Sequence, residues 1–172
     1  MTQAAVSGRV TAYIGLGANL GDTRAALRSA LAALAALPDT ALLVVSSAYR
    51  SAPVDATGPD FLNAAARIET ALPAASLLAA LHEIERHHHR ERPYRNAPRT
   101  LDLDLLLYGD TRSDDPALSL PHPRLHERAF VLLPLLELDP GLSVAGLGPL
   151  AALLPGVAEQ AIAREAQPLW PV

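Results

Sequence analysis

Leu27, Leu31 and Leu34 recur at i, i+4 and i+7 within residues 22–37, the spacing of one helix face, and Pro38 ends the run. Just before it, residues 11–17 (TAYIGLG) read as a short strand ending in glycines. Residues 42–49 (LLVVSSAY) are rich in branched side chains and predict a second strand, followed by a turn-rich stretch over residues 51–60 (SAPVDATGPD). Residues 61–70 alternate, with Leu62, Ala64, Ala66 and Ile68 on one side and Phe61 and Asn63 on the other. Pro73 opens a second helix in which Leu77, Leu81 and Ile84 keep the helical period. It runs into a polar stretch, residues 86–99 (RHHHRERPYRNAPR), whose later part is expected to be an exposed loop. Residues 101–108 predict another strand, and residues 127–138 a helix interrupted near Pro134. Residues 143–172 are weakly patterned, with Gly and Pro at several points.

Strand, helix, strand, strand, helix, strand is the order of a ferredoxin-like split βαβ core. The fold class expected is therefore α+β, an antiparallel sheet with helices packed on one face. Neither an internal repeat nor a long linker interrupts the chain. A flexible tail over residues 1–10 and a single domain over residues 11–172 are expected.

Composition narrows the chemistry. A net charge of -4 and half the residues apolar fit a folded domain with no global pull toward nucleic acid. The absence of cysteine excludes disulfides, thiolate zinc sites and cysteine nucleophiles. All 14 basic residues are arginine, which excludes a Walker-type phosphate loop and Schiff-base chemistry, both of which need lysine. The opening residues, MTQAAVSGRV, lack the charged start and apolar stretch of a secretory signal, and no apolar run has membrane-spanning length. A cytoplasmic location is the expectation.

The sharpest local signal is Leu101-Asp102-Leu103-Asp104-Leu105. On a strand the leucines face one way and both carboxylates the other. Like charges at that separation repel, and aspartate is a poor strand former, so a divalent cation would offset both costs. Two carboxylates with no softer donor suit magnesium, which keeps waters and binds through substrate phosphates. A solvated polar face on an edge strand explains the spacing equally well. Five arginines precede the pair: Arg86, Arg90, Arg92, Arg95 and Arg99. Guanidinium forks match phosphate oxygens, and a polyphosphate bridged by metal would account for both features together. Pro93 and Pro98 suggest a mobile loop there.

Weaker signals carry their own alternatives. GLGANLGD, residues 15–22, departs from the dinucleotide fingerprint in spacing, and a glycine turn feeding a helix explains it better. His87, His88 and His89 point to different sides of a helix and read as a solvated end. His122, held between prolines with Arg128 nearby, suits a phosphate contact or a structural turn. Phe61 and Asn63 on one strand face could stack on and hydrogen-bond a flat heterocycle, although such pairs also occur on ordinary half-buried strands.

The segments AYIGLGANLGD, SSAYRSAPV, FLNAA, RNAPRTLDLDLLLYG and LPHPRLHERAFVLLPLLEL, in that order over residues 11–142, resemble the 6-hydroxymethyl-7,8-dihydropterin pyrophosphokinases of the folate pathway. The resemblance implies transfer of the pyrophosphoryl group of ATP to the pterin hydroxymethyl group, with release of AMP. It implies that Asp102 and Asp104 bind two magnesium ions and that Arg90 and Arg92 are loop arginines assisting transfer. Glu85, Arg99, His122 and Arg128 correspond to ATP-binding positions. Phe61 and Phe130 match the aromatics that sandwich the pterin, and Asn63 the amide that reads its edge. Ser51, Ala52 and Val54 fall in a loop contacting it largely through backbone. Asn96 and Ala97 stand where some members carry a tryptophan-containing loop. A monomer is expected. Two rival classes are a non-catalytic ferredoxin-like ligand-binding module and an NAD-binding oxidoreductase, the latter requiring a parallel sheet.

Overall fold

The computed structural model describes residues 8–53, 58–89 and 101–171. Strand β1 (Val10–Ala18) leads to helix α1 (Thr23–Ala35), then β2 (Thr40–Val45), β3 (Tyr49–Ser51) and β4 (Phe61–Thr70). Helix α2 (Ala74–His89), strand β5 (Asp102–Tyr108), a 3-10 turn (Leu125–Glu127) and helix α3 (Ala129–Leu138) follow. The chain closes with a small hairpin of β6 (Ser143–Val144) and β7 (Gly148–Pro149), a 3-10 segment (Leu150–Val157) and β8 (Ile162–Arg164). β1 begins at Val10, paired with Thr70, so the last residue of the expected tail already belongs to the sheet.

The main sheet has the order β5-β1-β4-β3-β8, with β2 also pairing β4. Its pairs are antiparallel. This is the split βαβ core expected from the element order, with β8 added at one edge. Asp22 starts α1, its carboxylate accepting the Ala25 amide at 3.0 Å, and the leucine stripe Leu27, Leu31 and Leu34 is fully buried.

Three expectations need correction. The single strand over residues 42–49 is two strands, because an extra residue enters the ladder between Val45↔Ala66 and Tyr49↔Asn63. At the break Ser46 stands in for a strand partner: its amide donates to the Ala65 carbonyl and its hydroxyl accepts the Ala65 amide, both at 2.9 Å. Next to it the Ser47 amide turns away to the Glu137 carboxylate of α3 at 2.9 Å, which also accepts the Tyr49 hydroxyl at 2.6 Å.

The second correction concerns the layers. Helices α1 and α2 pack on one face, against Ala12, Ile14, Leu16, Ala64, Ala66, Ile68, Leu103 and Leu105. Helix α3 and the C-terminal 3-10 segment cover the other face, where Tyr13, Ala65, Leu106 and Leu107 meet Leu132, Leu135, Leu150 and Val157. Helices therefore sandwich the sheet, because both faces of its inner strands are apolar enough to need cover. Leu106 and Leu107 reach the same side through an irregularity in β5, where Tyr13 pairs with Leu107 and Ile14 with Leu105. Third, helix α3 runs through Pro134 without interruption.

The weakly patterned C-terminal residues are integral to the fold. β8 pairs with β3, and the chain then returns to α1, where Arg28 Nε donates to the Leu169 carbonyl at 3.1 Å and Leu169 is buried in the first core.

Candidate functional site

Helix α3 covers only one end of its sheet face. At the other end lies a cavity of about 600 Å³, and the sequence explains why it is open. β1 turns Gly15 and Gly17 onto this face, so the middle of the floor has no side chains. Gly15 is registered between Asp104 of β5 and Ala65 of β4, and Gly17 between Asp102 and Asn63. The bare glycine track thus separates an acidic bank from an aromatic and amide bank. A Cβ on Gly15 would lie 3.3 Å from Leu106 Cδ1, and one on Gly17 3.3 Å from Asn63 Oδ1. These glycines belong to the strand expected over residues 11–17, and Gly21, at φ +66, is the turn glycine that follows it. Their two-residue spacing on an apolar strand was the available signal.

On the acidic bank Asp102 and Asp104 project into the cavity while Leu101, Leu103 and Leu105 are buried in the first core. The alternation was read correctly, but the carboxylates face a walled cleft, not open solvent. Asp104 keeps 47% of its side-chain surface accessible toward the opening, yet the cleft desolvates it. Burial pushes its carboxyl above the ordinary range, opposed by the His122 imidazole and reinforced by Asp102. Glu85 of α2 sits behind β5, its Oε2 accepting the Leu103 amide at 2.7 Å between the two aspartates. Burial raises its carboxyl too; the Leu103 amide lowers it, and Asp102 raises it further. Three carboxylates gathered on two elements make this end of the cavity strongly receptive to positive charge.

His122 faces that bank, with Nε2 4.0 Å from Asp104 Oδ1. Its backbone amide donates to the Leu106 carbonyl at 3.0 Å, and its Nδ1 accepts the Arg124 amide at 3.2 Å. An accepting Nδ1 places the proton of the neutral ring on Nε2, toward Asp104. Burial lowers the imidazole's proton affinity, and Asp104 partly restores it.

On the opposite bank Asn63 is 3% exposed, and its Nδ2 donates to the Tyr49 carbonyl at 3.1 Å and to Ser51 Oγ at 2.8 Å. A carbonyl can only accept, which fixes the amide's orientation and leaves Oδ1 as the acceptor for a ligand. Phe61, Ser51 and Ala52 line the same side. Across from them stand Arg128 and Phe130 at the start of α3, with the guanidinium carbon 5.4 Å from the centre of the phenyl ring. Arg124 and Glu127 also line the cavity, and neither was singled out from the sequence. Arg124 lies inside the LPHPRLHER segment, so its proximity to His122 was the missed signal. Arg90, Arg92, Arg99 and Val54 lie outside the described residues, as do Asn96 and Ala97. Among the described residues no three His, Asp or Glu side chains gather to hold a metal by themselves.

Residues 13–140 match the family described as 7,8-dihydro-6-hydroxymethylpterin-pyrophosphokinase (HPPK). The chain belongs to this family. It is 45% identical over 131 residues to the 2-amino-4-hydroxy-6-hydroxymethyldihydropteridine pyrophosphokinase of Pseudomonas aeruginosa, covering 76% of this chain and 81% of that one. It is 44% identical over 130 residues to the enzyme of the same name from Haemophilus influenzae, covering 75% and 81%. Among solved structures it is similar to the wild-type Plasmodium falciparum HPPK-DHPS with pterin and p-hydroxybenzoate, at a TM-score of 0.67 and 15% identity. That match spans 84% of this chain but 42% of the solved one, and it shows the fold. As an HPPK, the chain is an ATP-dependent diphosphotransferase of folate biosynthesis. The non-catalytic module is not favoured, and the antiparallel sheet is at odds with the NAD-binding alternative.

Proposed function

We propose that the cavity binds ATP and 6-hydroxymethyl-7,8-dihydropterin side by side, the triphosphate over Asp102 and Asp104 and the pterin over Asn63. The observation that carries this reading is the glycine track, which holds an acidic bank and an aromatic and amide bank on one continuous floor. Phe61 and Phe130 would sandwich the heterocycle, and Asn63 Oδ1 would accept from a ring N–H or the exocyclic amine. Ser51, Ala52 and Val54 would complete that wall.

The donor set fits magnesium: two oxygen-only carboxylates on one strand face, with further ligands supplied by phosphate and water. Asp102 and Asp104 are the residues that would hold two such ions. When bound, magnesium supplies neutralisation of the triphosphate charge and fixes the orientation of the phosphates. Arg90, Arg92 and Arg99 would contact the phosphates, with His122 and Arg128 on the nucleotide from the opposite wall. Glu85 would support the nucleotide end by holding the β5 backbone.

The pterin hydroxymethyl oxygen attacks the β-phosphorus of ATP in line. A new O–P bond forms, the bond to the bridging oxygen of the α-phosphate breaks, AMP leaves, and the hydroxyl proton is released to solvent. Positioning and electrostatics supply the acceleration, with up to about 7–11 kcal/mol available from orientation. The protein acts as a monomer in the cytoplasm; no described helix is long and apolar enough to cross a membrane.

The test is to incubate the protein with ATP, magnesium and the pterin and measure AMP. Pterin-dependent AMP is expected, and its absence overturns the reading. Asp102→Ala and Asp104→Ala should each cut turnover about 100-fold or more at saturating magnesium and ATP, with pterin affinity nearly unchanged. Wild-type turnover in either variant would remove the aspartates from the metal site.

A further inference from the structure

Arg128 and Phe130 lie in the family-matched stretch, but the group that holds them does not. Gln160 lies 20 residues beyond the end of that match at residue 140. Its Oε1 accepts the Ala129 amide at 2.9 Å, and its Nε2 donates to the Glu127 carbonyl at 2.8 Å. The two bonds bracket Arg128, the residue at which the 3-10 turn gives way to α3. Arg128 caps that helix in an extended conformation, φ -129 and ψ 120, and its side chain makes no capping hydrogen bond. The Ala129 amide, buried at the start of the helix with no partner inside it, needs an acceptor, and Gln160 provides one from another part of the chain. Two residues on, Ile162 pairs with Ser51 across the β8–β3 ladder, on the opposite wall of the cavity. A second hollow, about 230 Å³, is lined by Gln160, Ile162, Phe130 and Ser51, so one short segment touches both walls.

We propose that Gln160 is a positioning residue for the pterin side of the site. Together with Ile162 it sets the separation between the Ser51–Phe61 wall and the Arg128–Phe130 wall. It touches no reacting atom. Its effect is on where the Phe130 ring and the Arg128 guanidinium stand when a flat heterocycle enters between the aromatics. The proposal rests on the assignment of Phe61 and Phe130 to the pterin.

Two variants test it. Gln160→Leu keeps the approximate side-chain size and loses both bonds; Gln160→Glu keeps the acceptor for Ala129 and loses the donor to Glu127. The expected result is a pterin KM raised about tenfold in Gln160→Leu and less in Gln160→Glu. The KM for ATP should rise less than that for the pterin and kcat should stay within about threefold of wild type, since Arg128 is one of several proposed nucleotide contacts and Asp102, Asp104 and His122 are held without Gln160. Calorimetric titration of the pterin should show the same ranking, and a purely structural role would lower melting temperature and active fraction without this split. Pterin KM values within twofold of wild type in both variants would overturn the proposal, and Gln160→Glu carries the test if Gln160→Leu does not fold. Phe130→Ala is the control for the underlying assignment. If it too binds pterin normally, the aromatic assignment has failed; if it alone loses affinity, the role of Gln160 has failed.

Discussion

A Cβ on Gly17 would sit 3.3 Å from Asn63 Oδ1, and Asn63 is poorly able to yield. Its amide is locked by the Tyr49 carbonyl and the Ser51 hydroxyl, so moving Oδ1 strains two buried hydrogen bonds. In the proposed function the same Oδ1 is the acceptor for the pterin. Gly17→Ala is therefore expected to fold, to raise the pterin KM by about tenfold, and to leave the KM for ATP nearly unchanged. Steady-state kinetics with each substrate varied in turn checks this, and equal effects on both substrates would contradict it. At this scale the site was partly legible. Asp102, Asp104, Phe61 and Asn63 announced themselves by alternation on strands, whereas Gly15 and Gly17 contribute by having no side chain.

At the scale of elements, strand boundaries follow hydrogen bonds that sequence periodicity does not contain. LLVVSSAY reads as one strand by residue type, yet the Ser46 hydroxyl and the Glu137 carboxylate, 91 positions apart in number, divide it into β2 and β3. The C-terminal segment is fastened in a comparable way. Glu165 accepts from Arg24 of α1 at 2.8 Å and from Arg50 of β3 at 2.7 Å. The bond from Arg50 holds its carboxyl below the ordinary glutamate range; burial opposes it, and the bond from Arg24 adds to the depression. A depressed folded-state value means that the stabilisation is fully present above the unfolded-state pKa and is lost as pH falls through the carboxylate range. These pairs are partly exposed, so each contributes about 0–1 kcal/mol. Wild type should therefore melt slightly above Glu165→Gln at pH 7, with the gap closing as pH falls below the ordinary glutamate range. Thermal melts across that range test the sign; a gap that widened in acid would contradict it.

The whole molecule is a sheet between two unequal cores. Leu31 is buried in the first core beneath α1, and Leu132 in the second beneath α3. Truncating either to alanine removes buried contacts and should cost about 2–5 kcal/mol in chemical denaturation. Their functional effects should differ. Leu132→Ala loosens the helix that carries Phe130 and should raise the pterin KM, whereas Leu31→Ala lies across the sheet from the site and should change stability alone. Equal kinetic effects from the two variants would mean that the second core does not position the aromatic wall.

The sequence by itself determined the order of the core helices and strands apart from the β2–β3 break, the α+β antiparallel core, the buried leucine faces and the acidic pair. Each of these depends on local spacing: 3.6 residues per helical turn, two per strand repeat. Its family segments also pointed to pyrophosphoryl transfer. Only the tertiary structure decided that helices cover both faces of the sheet, that the glycine track lies between Asp102 and Asn63, and that Gln160 reaches back to the start of α3. Those features join residues far apart in the chain. They arise from strand register and from buried amides that must find acceptors wherever the fold brings one.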